Sequence, residues 1–254
     1  MAVPRARFAA RAHFSLCVLK VFPQDGEMNG FHYLLLNLHS QNPDQCHTDI
    51  LNRVFEIWDK TFSQVADQNQ GRLEPDEFFR SHHVGVLMFD DEIVGFNLFT
   101  MFDLGMLATT RHRYFQALGS CSPTRLNSSN VNRVLTMEYF TITPAWRKQM
   151  REAPWGEILT GLGLKMLDTS TADAVLGTPR MDLKVHEMCY RLGGFDFQEP
   201  VKRMNYECAV VLFPKETQRT FVNPLTRHWV KNMPIAKSYT SPARASALRE
   251  AESA

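Results

Sequence analysis

One carboxylate stands in an otherwise uncharged, mostly apolar run. From Val134 to Thr143 the chain reads Val-Leu-Thr-Met-Glu-Tyr-Phe-Thr-Ile-Thr, and Glu138 is its sole charged group. Burial in such a segment disfavours the ionised form and lifts a carboxyl from its usual value of roughly 4.3 toward neutrality, where it serves as a general base. The competing reading is a salt bridge, to Arg133 or to an arginine of the stretch after Leu104. Tyr190 brings a phenol to the end of a predicted helix, where the alternative is a half-buried aromatic anchor. Cys189 beside it faces another way on that helix and reads as a core thiol, and His186, one turn earlier, reads as a packing residue that would line Tyr190's pocket only if the helix turned that face inward. His82-His83 and Cys46-His47 are adjacent pairs with no spaced carboxylate or cysteine set beside them, so no metal site is expected.

These side chains need a core to hold them, and 254 residues at 44% hydrophobic and 22% charged suffice for a globular domain. No apolar run approaches the ~18 residues of a membrane span, so no integral membrane segment is expected. Charge is uneven: residues 25–214 carry a net −7, whereas both ends are basic. Arg5, Arg7 and Arg11 precede the first acid, Asp25, which gives residues 1–30 the look of an organelle transit peptide; the plainer reading is a flexible basic extension. Five scattered cysteines with no C-x-x-C spacing argue against a disulfide framework and for a reducing compartment, with the cytoplasm expected. Residues 215–254, with Pro224, Pro234 and Pro242, read as a docking arm fading into a tail. Within residues 104–151 seven basic groups face one acid, a net +6 suited to an acidic protein partner or to ligand phosphates, or else an ordinary solvated face. No nucleic-acid motif accompanies it, and no nucleic acid is expected as partner.

Periodicity predicts the elements. Phe31–Leu38 is strand-like, and Ile50, Val54, Ile57, Trp58 and Phe62 form one helical stripe. Leu73–Arg80 predicts a short helix, with Pro75 and acids in its first turn. Val84–Phe89 and Ile93–Phe99 flank Asp90-Asp91-Glu92 as a hairpin. Val134–Thr143 is a strand that Pro144 ends, Ile158–Leu167 a buried helix, Ala174–Gly177 a strand, Asp182–Leu192 a helix stopped by Gly193-Gly194, and Tyr206–Phe213 the last strand. The predicted order is β, α, α, β, β, β, α, β, α, β.

Three local patterns in this order resemble the GNAT superfamily of N-acyltransferases: the hairpin from Val86 to Phe96, the strand exit Phe140-Thr-Ile-Thr-Pro-Ala-Trp-Arg147, and Tyr190-Arg-Leu-Gly-Gly-Phe195, which is similar to the family's Tyr-x-x-x-Gly-Phe signature. The resemblance covers residues 31–214. It implies an α/β (α+β) GNAT-like acyl-CoA N-acyltransferase fold, a mixed splayed sheet flanked by helices. It further implies a slot where the backbone of Thr141, Ile142 and Thr143 pairs with the pantetheine arm of an acyl thioester. Glu138 would be the general base toward the acceptor amine, and Tyr190 the acid that protonates the leaving thiolate. The family's glycine-rich pyrophosphate loop departs here: after Arg147 the chain reads Lys-Gln-Met-Arg-Glu-Ala-Pro-Trp-Gly156, with one late glycine and a proline. Arg147, Lys148 and Arg151 would then hold phosphates in its place, with Gly156 opening the helix and Trp155 covering the slot or capping the helix. Relatives that draw on acyl carrier protein, the N-acyl amino acid and acyl-homoserine-lactone synthases, need the slot but not the loop. The implied cosubstrate is therefore acyl-ACP or acyl-CoA, with no permanently bound cofactor. The implied function is N-acylation of a small amine or amino acid, including long-chain N-acyl amino acid synthesis; the alternatives are acetyl-CoA-dependent acetylation of a small amine and an inactive acyl- or protein-binding module.

Overall fold

A computed structural model describes residues 28–68, 72–119, 122–149 and 153–239, with the backbone alone for 148 and 149. The strands are β1 (Phe31–Asn37), β2 (His83–Phe89), β3 (Glu92–Asp103), β4 (Arg133–Ile142), β5 (Ala174–Gly177), β6 (Phe195–Arg203), β7 (Tyr206–Pro214) and β8 (Ile235–Ala236). They join in one sheet ordered β6-β7-β5-β4-β3-β2-β1-β8. All neighbours are antiparallel except β4 with β5 and β1 with β8. The helices are α1 (Gln45–Asp67), α2 (Asp76–Phe79), α3 (Leu107–Thr110), α4 (Arg113–Leu118), α5 (Ser122–Ser128), α6 (Pro144–Gln149), α7 (Trp155–Thr169), α8 (Val185–Arg191) and α9 (Pro224–Asn232). Parallel β4 and β5 need a crossover, and it contains α7.

Alternation along the strands sends apolar side chains to both faces. Leu34, Val84, Val86 and Phe96 meet Ile50, Val54 and Trp58 of α1 on one side. Tyr33, Leu87 and Val94 meet Ile158, Leu159 and Leu162 of α7, with Trp229 of α9, on the other. The stretch after Leu104 folds into α3–α5 and packs Phe115 and Leu126 against Val134, Leu176 and Leu212.

Two differences from the sequence expectation concern edges. β6 was not expected, because Phe195–Arg203 carries Pro200 and four charged groups and pairs with β7 through two register shifts, as suits an edge strand exposed to water. The layered body also continues past Lys215. Asn223 caps α9 by accepting from the Leu225 and Thr226 amides, Pro224 sits at its start, Trp229 is fully buried, and β8 adds a strand beside β1. The expected arm thus belongs to the core as far as Ala236; residues 1–27 of the basic extension (1–30) and the last residues (240–254) lie outside the described residues.

Candidate active site

The sheet parts beside β4. β4 pairs with β5 only from Val134↔Ala174 to Met137↔Gly177. Beyond Gly177 the chain follows β7 instead: the Ala209 amide donates to the Pro179 carbonyl (3.1 Å), the Met181 amide to the Glu207 carbonyl (3.0 Å), and Arg180 bridges Cys208. β4 meanwhile stays with β3 through Gly95↔Ile142. A wedge opens, and a cavity of about 160 Å³ fills it. Met137, Phe140, Val185, Met188, Val211 and Phe213 give it apolar walls, and Thr160 of α7, which also lines it, has a buried hydroxyl with no hydrogen-bond partner.

A β-bulge shapes the mouth. Glu138 lies opposite Leu98 and Thr141 opposite Phe96, so Tyr139 and Phe140 together face the single residue Asn97. Tyr139 takes a left-handed φ of 53°, costing roughly 1–3 kcal/mol in a non-glycine residue. Its ring is held against Trp58 and Phe62 (centroids 5.4 and 4.9 Å), and its hydroxyl donates to Glu77 Oε2 (2.9 Å). These contacts fix the bulge and aim Glu138.

Glu138 is 16% exposed and lies 3.6 Å from Arg203 Nη2; its Oε1 accepts from the Thr136 hydroxyl (3.0 Å). Burial raises its carboxyl above the ordinary range, and Arg203, the Thr136 bond, Arg80 and Arg113 partly oppose this. The result is a carboxylate that takes up a proton more readily than an exposed one. Its ion-pair partner is Arg203 of β6; Arg133 points to Asp103 (3.8 Å) instead, while Arg113 of α4 pairs with Glu77.

The other expected site residues are placed as follows. Thr141 and Ile142 end β4 and Thr143 follows it; none of the three lines the cavity, and their groups are partly bonded: Arg147 Nε donates to the Ile142 carbonyl (2.5 Å), the Thr141 hydroxyl to the Tyr139 carbonyl (3.0 Å) and the Thr143 amide to the Val94 carbonyl (2.9 Å). Arg147 stands on α6. The side chain of Lys148 and all of Arg151 lie outside the described residues. Gly156 sits in the first turn of α7, where a Cβ would come 3.1 Å from Met188 Sδ. Trp155 is 4% exposed and packed among Phe31, Trp146 and Trp229, a core position away from the wedge. Tyr190 is not brought together with Glu138: 36% exposed and absent from the cavity walls, it donates its hydroxyl to Asp196 (2.5 Å). Burial, then the bond to Asp196 and its charge, push that phenol up to about 12. His186 packs edge-on to it (5.6 Å). Cys189 lines the cavity as a buried thiol whose pKa burial raises. Among the described residues of the expected basic patch, Arg125 lies over Phe197, and Arg133 and Arg147 flank opposite ends of a ten-residue strand, about 30 Å apart.

Arg203, Arg80, Tyr114, Glu77 and Thr160 were not singled out in the sequence. Each sits in an element with an ordinary local pattern, and only the sheet brings them to Glu138 or the wedge. Among the described residues no group of three or more His, Cys, Asp or Glu could hold a metal ion, and no helix is long and apolar enough to cross a membrane.

No protein-family model matches the sequence, and no curated protein does. Solved structures do match. A CoA-dependent acyl-homoserine lactone synthase, BjaI, solved with SAM and isopentyl-CoA, is 10% identical, covers 87% of this chain and 100% of its own, and superposes with a TM-score of 0.55. The CoA-dependent acyl-homoserine lactone synthase MesI is 12% identical over 82% of this chain and 100% of its own, with a TM-score of 0.50. A putative arylalkylamine N-acetyltransferase 7 of the yellow fever mosquito is 13% identical over 73% and 94%, also at 0.50. Such identities speak for fold alone. The chain has the GNAT-like acyl-CoA N-acyltransferase fold, a mixed sheet parted beside its central strand and flanked by helices.

Proposed function

We propose that the protein is an N-acyltransferase that moves an acyl group from a pantetheine thioester to an amine. One observation carries the reading: a largely buried carboxylate of raised pKa, Glu138, stands where an apolar cavity in the parted sheet meets a polar one lined by arginines. The amine attacks the thioester carbonyl, the C–N bond forms as the C–S bond breaks, and Glu138 takes the proton the amine loses. The pantetheine arm lies in the wedge along Thr141 to Thr143, with Thr160 offering its unused hydroxyl. Tyr190, bonded to Asp196, is left out of this scheme; the thiolate takes its proton from water.

The donor is acyl-CoA, a choice supported by the isopentyl-CoA of the BjaI structure and by the dispersal of the basic residues that would dock an acidic carrier. An acyl-ACP remains the second donor to assay. The free thiols of Cys46, Cys189 and Cys208 fit the cytoplasm as the place of reaction.

The test is thiol release from a series of acyl-CoA donors in the presence of mixed amines, with Glu138→Gln beside the native chain. Loss of at least about a hundredfold in rate with Tm unchanged within about 2 °C is expected. Equal rates in the two proteins would remove Glu138 from the chemistry, and no release from any donor, acyl-ACP included, would leave a binding module.

A further inference from the structure

A second cavity, of about 340 Å³, adjoins the first through Glu138, Tyr139, Arg203 and Met204, which line both. Its walls carry the guanidinium groups of Arg80, Arg113 and Arg203 against the carboxylates of Glu77 and Glu138, with a fourth, the exposed Arg72, paired to Glu74 (3.0 Å). The cavity is therefore cationic although the body that holds it is acidic.

The hydrogen bonds inside it do not close. Glu77 takes up Arg80 Nη2, Arg113 and the Tyr139 hydroxyl. Glu138 takes up the Thr136 hydroxyl and faces Arg203 Nη2. Arg80 Nε, Arg203 Nη1 and the Tyr114 hydroxyl are left buried and without a partner. Tyr114 is 3% exposed, and the Arg203 guanidinium lies over its ring at 5.2 Å, so the two are held together. Buried donors without acceptors are costly, and the three side chains that carry these all line one cavity. Guanidinium donors together with a hydroxyl suit a planar oxyanion.

We infer that this cavity receives the acceptor and that the acceptor is a small amino acid, its carboxylate bound by Arg203, Arg80 and Tyr114 and its amine turned to Glu138. The inference rests on the acyl-transfer reading and names the substrate class for it. An amine without an anion would enter a cationic space and leave the three donors unmet, so the site discriminates against it.

Thermal unfolding of the full chain, with and without coenzyme A, tests the inference on matched sets: amino acids, their amides, the amines left by decarboxylation, and phosphoethanolamine. At least one amino acid is expected to raise Tm by about 5 °C near saturation, with its amide and amine nearly without effect. Tyr114→Phe, which keeps the ring under Arg203 and loses only the unpartnered hydroxyl, should keep its own Tm and bind that amino acid about tenfold more weakly; Arg80→Gln should weaken it likewise. Amides or amines that match the amino acids, a stronger effect of phosphoethanolamine, or no shift with any compound would each overturn the inference, while thiol release sensitive to Glu138→Gln would still stand. Amino-acid binding with no thiol release from any donor would overturn the acceptor role together with the transfer reading.

Discussion

Glu138 and Tyr190 differ in surroundings more than in distance along the chain. The carboxyl of Glu138 is raised by burial and restrained by Arg203, the Thr136 bond, Arg80 and Arg113. Activity that needs its ionised form rises with pH through that pKa. Thr136→Val removes a bond that favours the ionised form, so the acid limb of kcat/KM should move to higher pH; an unmoved or lowered limb would separate Glu138 from the titration. Stability runs the other way. A carboxyl whose folded pKa lies above its unfolded value contributes stability in full below the unfolded value, near 4.3, and loses it as pH rises through the folded one. Glutamine mimics the protonated form, which is why Glu138→Gln is expected to hold its Tm at neutral pH. Tyr190, tied to Asp196 and pushed up to about 12, gives up a proton reluctantly. Tyr190→Phe should leave the rate of acyl transfer within about twofold, and a hundredfold loss would instead assign it the thiolate's proton.

At the scale of elements, the site depends on three irregularities. The bulge in β4 aims Glu138, the early end of β5 opens the wedge, and the hairpin joining β6 to β7 sets Arg203 against Tyr206. In that hairpin Met204 and Asn205 both take positive φ, 47° and 61°, the two-residue turn that matches strand twist. Gly95 lets β3 approach β4 at the bulge: a Cβ there would lie 2.5 Å from the Thr141 carbonyl oxygen. Gly95→Ala is therefore expected to cost about 1–3 kcal/mol in urea unfolding and to lower acyl transfer together with stability, because backbone has to shift. Unchanged stability would mean that the strands are free to separate at this point.

The whole molecule closes around an aromatic group contributed from distant parts of the chain. Phe31 of β1, Trp155 of α7 and Trp229 of α9 meet with centroids 4.6–5.5 Å apart. The segment after β7 is thus as much core as the central strands. Trp229→Ala should cost about 3–5 kcal/mol, read as a lowered urea midpoint at unchanged slope. A loss below about 1 kcal/mol would show α9 to be dispensable, as an arm would be.

The hairpin of β2 and β3, the strand that Pro144 ends, and α1 and α7 with their apolar stripes were all legible in the sequence, as was Glu138, because a charge within an uncharged strand is visible without knowing its neighbours. Local chemistry decides such features: side-chain period, turn residues, a proline that cannot continue a strand. β6 and β8 escaped because edge strands face water on one side and lose the apolar pattern by which buried strands are recognised. α9 escaped because its mean polarity hides one narrow buried face carrying Trp229. Arg203, Arg80 and Tyr114 carry no local mark at all; they meet because β6 reaches the sheet edge through β7, α2 precedes β2, and α4 folds back from the end of β3. The candidate base was a property of the sequence. Its partner arginine and the unmet donors around it are properties of the tertiary fold, since burial and proximity across more than a hundred residues exist only once the sheet has closed.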